Sequence, residues 1–263
     1  MNPEINIPKL IEIAVNAAIQ AGKEILEVYY HADFELEYKA DNSPITIADK
    51  RAHQVISGFL SSTNIPILSE EGNTIHYAER KNWEIFWLVD PLDGTKEFVK
   101  RNDEFTVNIA LIESNSPIGG VVYVPVTHII YWASQSGSFK ALVDGEKVSV
   151  QSIQQLPLII SNENFVIAGS RSHMSPETEV FIQSLDTKGK PVEIESKGSS
   201  LKICMVAEGR ADVYPRLAPT MEWDTAAGHA IVKFAGKDIY QIENKEPVVY
   251  NKENLLNPWF VVQ

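Results

Sequence analysis

The apolar run Ile85-Phe86-Trp87-Leu88-Val89 passes without a break into Asp90-Pro91-Leu92-Asp93-Gly94-Thr95. A continuous apolar run of this length suits a strand buried on both faces, and Pro and Gly punctuate its end. The chain thus delivers two carboxylates and a hydroxyl on a turn where a sheet meets solvent. Carboxylates crowded together repel unless a cation lies between them. Hard dications such as Mg2+ take oxygen ligands of this kind and leave room for substrate phosphates. The segment reads as a metal-binding turn.

At 263 residues the chain reaches the size at which one core begins to divide into two. Its net charge of −12 argues against a nonspecific binder of nucleic-acid strands, which would present a basic surface. An acidic protein still acts on an anionic substrate where metal ions and a few local cations reverse the field. The single cysteine, Cys204, excludes an internal disulfide and a Cys-based zinc site, and it lies on an apolar helix face as inert core. No signal peptide is apparent at the N-terminus, and no uncharged run approaches the roughly 20 residues that span a bilayer. The expected compartment is the cytoplasm, with peripheral association at the inner face of the membrane left open, as is the choice between monomer and homodimer.

Apolar spacing predicts helices over Leu10–Tyr30 and Ile47–Leu60. Strands are expected at Phe34–Tyr38, Ile65–Leu68, Ile85–Val89, Val107–Ile112, Gly120–Val124, Ile129–Trp132 and Ser138–Leu142. Short polar turns between the later strands favour an antiparallel meander. The polar stretch Asp144–Asn164 is the candidate boundary between an N-terminal α+β half, 1–155, and a C-terminal α/β half, 156–263. After it, strands Phe165–Ala168, Val192–Ile194 and Ala211–Tyr214 alternate with helices Glu177–Leu185, Ser199–Ala207 and Asp224–Phe234, which suits an α/β layer.

Other acids join the turn. Glu70 and Glu71 follow the apolar Ile67-Leu68-Ser69, Asp49 lies early in a helix, and Asp224 is a natural N-cap before a helix rich in small residues. Each has a bland reading as a solvated charge or helix-start acid, but a dimetal site needs several carboxylates from separate segments. The aspartyl-phosphatase signature, Asp-X-Asp-X-Thr, is excluded because Asp90 and Asp93 stand three apart. Gly198-Ser199-Ser200-Leu201-Lys202 opens a helix with serines placed to cap it, and such an N-terminus suits an anion. Lys202, Arg216 and His173 carry little signal individually, since Lys and Arg are common on surfaces.

Glu70-Glu71, Asp90-Pro-Leu-Asp-Gly-Thr95 and Trp223-Asp224 together resemble the lithium-sensitive, Mg2+-dependent phosphatase superfamily of inositol monophosphatase and fructose-1,6-bisphosphatase. Asp41-Asn-Ser-Pro-Ile-Thr-Ile-Ala-Asp49, Gly94-Thr-Lys-Glu-Phe98 and the run from Gly198 to Ala230 resemble its bacterial 3′(2′),5′-bisphosphate nucleotidase branch. The Lys96-Glu97 pair departs from the Thr-Asn common in inositol monophosphatases. The resemblance covers residues 38–235, leaving Asn73–Asn82 and 150–164 outside it. It implies a layered α/β/α/β/α sandwich.

The resemblance also implies a site. Glu70, Asp90 and the Leu92 carbonyl would hold one Mg2+, and Asp90, Asp93 and Asp224 a second. Asp49 and Thr95, with Glu70 beside them, would position and activate the attacking water, Asp49 also serving a third ion through water. Glu70, Leu92, Asp93, Gly94, Thr95 and Asp224 would surround the scissile phosphate, while Ser199, Lys202, Arg216 and His173 cradle the nucleotide. The expected reaction is direct hydrolysis of the 3′-phosphate of adenosine 3′,5′-bisphosphate, clearing a by-product of sulfate activation. The alternatives are an inositol monophosphate or sugar-phosphate phosphatase and, more remotely, a non-catalytic nucleotide or metal sensor.

Overall fold

The helical spacing near the N-terminus forms α1 (Ile7–Tyr30), whose buried stripe includes Ile11, Ala14, Ala18, Ala21 and Ile25. In this computed structural model residues 5–30, 36–38, 44–169 and 175–263 are described, the segments 36–38 and 44–46 by backbone alone. Two short strands, β1 (Leu36–Tyr38) and β2 (Pro44–Thr46), pair antiparallel and lead into α2 (Ile47–Ser61). Phe34, expected to open the first of them, lies outside the described residues.

Next come β3 (Ile67–Ser69), the single turn α3 (Tyr77–Arg80), β4 (Ile85–Asp93) and the short α4 (Thr95–Lys100). The strands β5 (Thr106–Glu113), β6 (Ser116–Val124), β7 (Ile129–Ser134) and β8 (Gly137–Asp144) follow as the expected meander, each antiparallel to its neighbour. The polar stretch 144–164 contributes β9 (Lys147–Val148), a 3-10 turn and β10 (Gln154–Leu156), both strands hydrogen-bonded to β8. The result is an eight-stranded sheet ordered β10-β8-β7-β6-β5-β4-β3, with β9 beside β8. Only its last pair is parallel: β3 runs alongside β4.

Both faces of this sheet are covered, which explains its near-continuous apolar strands. Trp87, Val89, Val107, Ile109, Leu111 and Val121 face α1 and α2. Their neighbours Phe86, Leu88, Ala110, Ile112 and Val122 face the opposite layer. Full burial of side chains this size is worth about 1.5–3 kcal/mol each, so the two-sided packing anchors β4 firmly.

That opposite layer comes from the second half of the chain. Its elements are β11 (Phe165–Gly169), α5 (Pro176–Gln183), β12 (Val192–Ser196), α6 (Leu201–Glu208), β13 (Tyr214–Arg216), α7 (Glu222–Phe234), β14 (Ile239–Gln241) and β15 (Phe260–Val262). Helices α6 and α7 pack on the large sheet through Ile203, Val206, Ala226, Ala227 and Ile231. Gly120 of β6 makes the close approach of α7 possible, because a Cβ there would come within 2.9 Å of the Ala227 carbonyl. Beyond the helices lie the parallel pair β11–β12 and the antiparallel trio β13-β15-β14. Phe181 and Ile182 of α5 close the outside against Ile167, Val213 and Val261. Helices, sheet, helices, strands and helix make the expected five-layer α/β/α/β/α order.

Several boundaries differ from the sequence reading. The strand expected at Ala211–Tyr214 forms instead at Tyr214–Arg216, because its partner is β15, which apolar spacing did not reveal. The helix expected from Ser199 begins at Leu201, with Ser199 at φ 49°. Strand β4 does not stop at Val89 but continues to Asp93. Among the described residues no helix is long and apolar enough to cross a membrane.

Candidate active site

The parallel pairing of β3 with β4 assembles the first two acids. Ser69 is in register with Val89, and the Glu70 N–H donates to the Val89 carbonyl at 3.1 Å. Glu70 and Asp90 therefore leave the sheet side by side at the same end.

The Asp90–Asp93 segment is a bulged strand rather than the turn expected from its Pro and Gly. Asp90 is registered on Asn108 and Asp93 on Thr106, so three steps on β4 face two on β5. In a regular strand residues three apart point to opposite faces. One extra residue resets the alternation and brings both aspartates to one cleft. Pro91 is tolerated because a bulge leaves an amide outside the ladder. Asp90 Oδ1 accepts from the Leu92 N–H at 3.0 Å, and Thr95 Oγ1 donates to the Leu92 carbonyl at 3.3 Å. Gly94, at φ 89°, turns the chain from the strand into α4, a backbone region that L side chains rarely adopt.

Asp224 comes from α7. It is not the N-cap expected from the sequence but the third helical residue, Met221 being the cap, and its Oδ2 accepts from the Met221 N–H at 2.8 Å. Each of Glu70, Asp90 and Asp224 offers an oxygen within 4.8 Å of the others. Burial, then the charges of Glu70, Asp93, Asp224 and Asp49, push the Asp90 carboxyl well above its ordinary range. Burial and the neighbouring Asp93 do the same to Asp224, partly opposed by the Met221 hydrogen bond. Converging oxygen donors whose ionisation is mutually penalised are what a hard dication relieves. The residues present fit Mg2+.

Asp93 stands beside this trio. Its Oδ2 accepts from both serines of the Ser199-Ser200 pair, the Ser200 contact measuring 2.9 Å. This corrects the capping role expected for those hydroxyls: neither caps α6, because the carboxylate across the cleft claims them. Asp49, the third residue of α2, is buried and does not line the cleft, yet its charge adds to the field on Asp90.

The cleft, of about 350 Å³, is closed on its other side by Ser199, Lys202, Tyr214, Arg216, Pro219 and Phe260. Lys202 is buried, and its Nζ donates to the Lys197 and Ser199 carbonyls at 3.1 and 2.7 Å. Burial lowers its pKa to about 8, with Asp93 pulling the other way. Arg216 donates through Nη2 to the Pro219 carbonyl at 3.1 Å, while its buried Nε makes no hydrogen bond. His173 lies outside the described residues. Cys204 is buried and its thiol is pushed up by burial, as inert core requires.

Sequence reasoning missed several residues in and behind the cleft. Thr106 and Asn108 are fully buried polar side chains on β5, and their alternation with Phe105, Val107 and Ile109 was the available signal. Glu104 accepts from the Gly198 N–H at 2.8 Å and from Lys197 Nζ at 3.4 Å. Nothing in its local sequence marks that role.

Comparison with known proteins gives the family. The chain is 43% identical over 256 residues to the 3′(2′),5′-bisphosphate nucleotidase CysQ of Salmonella typhimurium, covering 96% of this chain and 99% of that one. It is 42% identical over 257 residues to the protein of the same name from Escherichia coli K12, with the same coverage. The crystal structure of CysQ from Bacteroides thetaiotaomicron, a bacterial member of the inositol monophosphatase family, superposes with a TM-score of 0.87. It is 50% identical and covers 96% of each chain. An inositol monophosphatase from Thermotoga maritima shares the fold at 23% identity, with a TM-score of 0.72 and coverage of 96% of this chain and 91% of that one. The profile of the inositol monophosphatase family matches residues 6–259, and the chain belongs to that family.

Proposed function

We propose that this protein is a Mg2+-dependent 3′(2′),5′-bisphosphate nucleotidase that hydrolyses the 3′-phosphate of adenosine 3′,5′-bisphosphate to AMP and inorganic phosphate. The observation that carries the reading is the two-sided cleft: converging Glu70, Asp90 and Asp224 on one wall and Ser199, Lys202 and Arg216 on the other. One wall suits a phosphate under attack, the other a second phosphate on the same molecule. Relatives that match along nearly their whole length carry the nucleotidase name, and the family's phosphatases depend on metal, typically Mg2+. The role that follows is removal of a by-product of sulfate activation.

Glu70, Asp90 and the Leu92 carbonyl would hold one Mg2+, and Asp90, Asp93 and Asp224 a second, and Asp49, whose charge acts on Asp90, would serve a third through water. Bound Mg2+ supplies Lewis acidity, drawing charge from the phosphoryl oxygens and easing deprotonation of water. Thr95 would orient the attacking water, and Asp49, set back from the cleft, would take its proton through an intervening hydrogen bond. Water adds to phosphorus as the P–O3′ bond breaks and the 3′-oxygen leaves to take a proton from solvent, without a phosphoenzyme, since phosphoryl transfer asks mainly for positioning and charge stabilisation. Gly94 keeps side-chain bulk away from the phosphate. Ser199, Lys202 and Arg216 form the nucleotide side, and the family resemblance would add His173 as a further nucleotide contact. The N-terminal half, 1–155, thus brings most metal ligands, and the C-terminal half, 156–263, brings Asp224 and the nucleotide contacts. The substrate is a free mononucleotide, and the cytoplasm is the proposed site of action.

The test compares phosphate release from adenosine 3′,5′-bisphosphate and inositol 1-phosphate at equal concentration, with Mg2+ and with excess chelator. The bisphosphate should be strongly preferred, and chelator should abolish turnover. Preference for inositol 1-phosphate would move the protein to the monophosphatase branch. Undiminished turnover in chelator would end the metal reading.

A further inference from the structure

Two polar side chains in β5 have no part in the motifs that identify the family. Thr106 is 0% exposed and Asn108 1% exposed, in a strand otherwise built from Val107, Ile109, Ala110 and Leu111. Buried hydroxyl and amide groups are costly unless hydrogen-bonded, so both should have partners, and those partners point to a role. Across the β4–β5 ladder Asn108 is opposite Asp90 and Thr106 opposite Asp93. Cross-strand partners share a face. The bulge that aligns the two aspartates therefore also sets them over these two polar residues.

The hydrogen bonds run in a fixed direction. Thr106 Oγ1 donates to Asn108 Oδ1 at 3.0 Å. With its carbonyl occupied, the Asn108 amide presents its NH2 outward, and Nδ2 reaches Ser200 Oγ at 2.9 Å and Asp93 Oδ2 at 3.5 Å. Ser200 Oγ in turn lies 2.9 Å from both Asp93 Oδ2 and the Asp224 carbonyl. Thr106 Oγ1 also sits 2.7 Å from Ser199 Oγ, the other donor to Asp93. One strip of polar side chains on β5 thus fixes both hydroxyls that grip Asp93 and, through Ser200, is linked to the first turn of the helix that carries Asp224.

We propose that Thr106 and Asn108 are positioning residues that hold Asp93, through Ser199 and Ser200, in the orientation that binds the metal. Their donors converge on Oδ2, which orients the carboxylate and its other oxygen. Groups of this kind, one step removed from a metal, typically govern affinity by about 10–100-fold. The inference rests on the metal site proposed above and adds the part of β5 that supports it.

The experiment is calorimetric titration of the full-length protein with Mg2+, without substrate, alongside thermal melting in chelator. Thr106→Val keeps the shape and removes the hydroxyl, Thr106→Ser restores it, and Asn108→Ala removes the amide. Asn251→Ala is the control, because that buried asparagine's side chain bonds to Arg80 and neither residue lines the cleft. Thr106→Val and Asn108→Ala should weaken Mg2+ binding about 10-fold or more, Thr106→Ser should bind as wild type does, and Asn251→Ala should lower Tm without changing Mg2+ affinity. Wild-type Mg2+ affinity in both Thr106→Val and Asn108→Ala overturns the proposal. So does an equal loss in Asn251→Ala, which would make the effect general loosening. Failure of the wild-type protein itself to bind Mg2+ overturns the metal reading and this inference with it.

Discussion

Lys202 is tied to Ser199: its ammonium donates to the Ser199 carbonyl at 2.7 Å, pinning the turn whose hydroxyl holds Asp93. A lysine ammonium has three donors. Two are given to the Lys197 and Ser199 carbonyls, which leaves one for a ligand in the cleft. Lys202 therefore braces the turn that holds Asp93 while lining the cleft, whereas Arg216 reaches the cleft from β13.

The first prediction concerns substrate choice and pH. Burial lowers the Lys202 pKa to about 8, so the ammonium is charged below that pH and neutral above it. The free-enzyme pKa appears in kcat/KM. The ratio of kcat/KM for adenosine 3′,5′-bisphosphate over a small monophosphate should fall as pH rises through about 8, and Lys202→Arg should keep it flat there. A charge-assisted contact is worth about 1.5–3 kcal/mol, so Arg216→Ala should lower that ratio roughly 10–100-fold. Equal losses on both substrates would show that these cations do not read the second phosphate.

A second prediction follows from the crowding around Asp90. Its carboxyl is raised well above the ordinary range by burial and by Glu70, Asp93, Asp224 and Asp49. A group that holds its proton more tightly folded than unfolded makes stability fall as pH rises through the folded pKa. Without metal, Asp90→Asn should therefore melt at a higher temperature than wild type, and the gap should widen from acid to neutral pH. The same variant should lose the Mg2+-induced rise in Tm together with activity. Melting curves across pH, with chelator and with Mg2+, check both halves.

Thr95 separates binding from chemistry. Its hydroxyl donates to the Leu92 carbonyl, a neutral ligand beside the charged carboxylates that would carry most of the metal's binding. Thr95→Ala should keep Mg2+ affinity while kcat drops by roughly 10²–10⁴-fold, the range for loss of general-base positioning. Thr95→Ser should recover most of the rate. Parallel loss of Mg2+ affinity would recast Thr95 as part of the metal cage.

What could be read before the structure was local, and what could not was the pairing. The acids at the ends of apolar strands were visible because an acidic residue directly after a buried strand has few other reasons to be there. The bulge was not visible, since Pro91 and Gly94 signal a turn equally well and only the partner strand decides. Lys202 reads as a surface lysine until its burial is known. Thr106 and Asn108 looked like ordinary strand residues, because a polar pair inside an apolar strand gains meaning only when Ser199 and Ser200, more than 90 positions later, are set against it. Strand β15 was missed for the same reason, as three apolar residues near the C-terminus announce no partner.

The parallel pairing of β3 with β4 has a consequence for how this scaffold tolerates change. A hairpin would have put Glu70 and Asp90 at opposite ends of the sheet, so the chain must travel back its full length between them. That return journey is residues 70–84, held along the way by Arg80 bonding to Asn251 and to the Lys252 and Glu253 carbonyls. Past Glu71 the segment adds no residue to the lining of the cleft, and Ile75, Arg80 and Trp83 tie it to the core. It is the stretch, Asn73–Asn82, that carries no motif, and it is where a lineage can lengthen or redraw the surface while leaving the chemistry at the other end of the strands untouched.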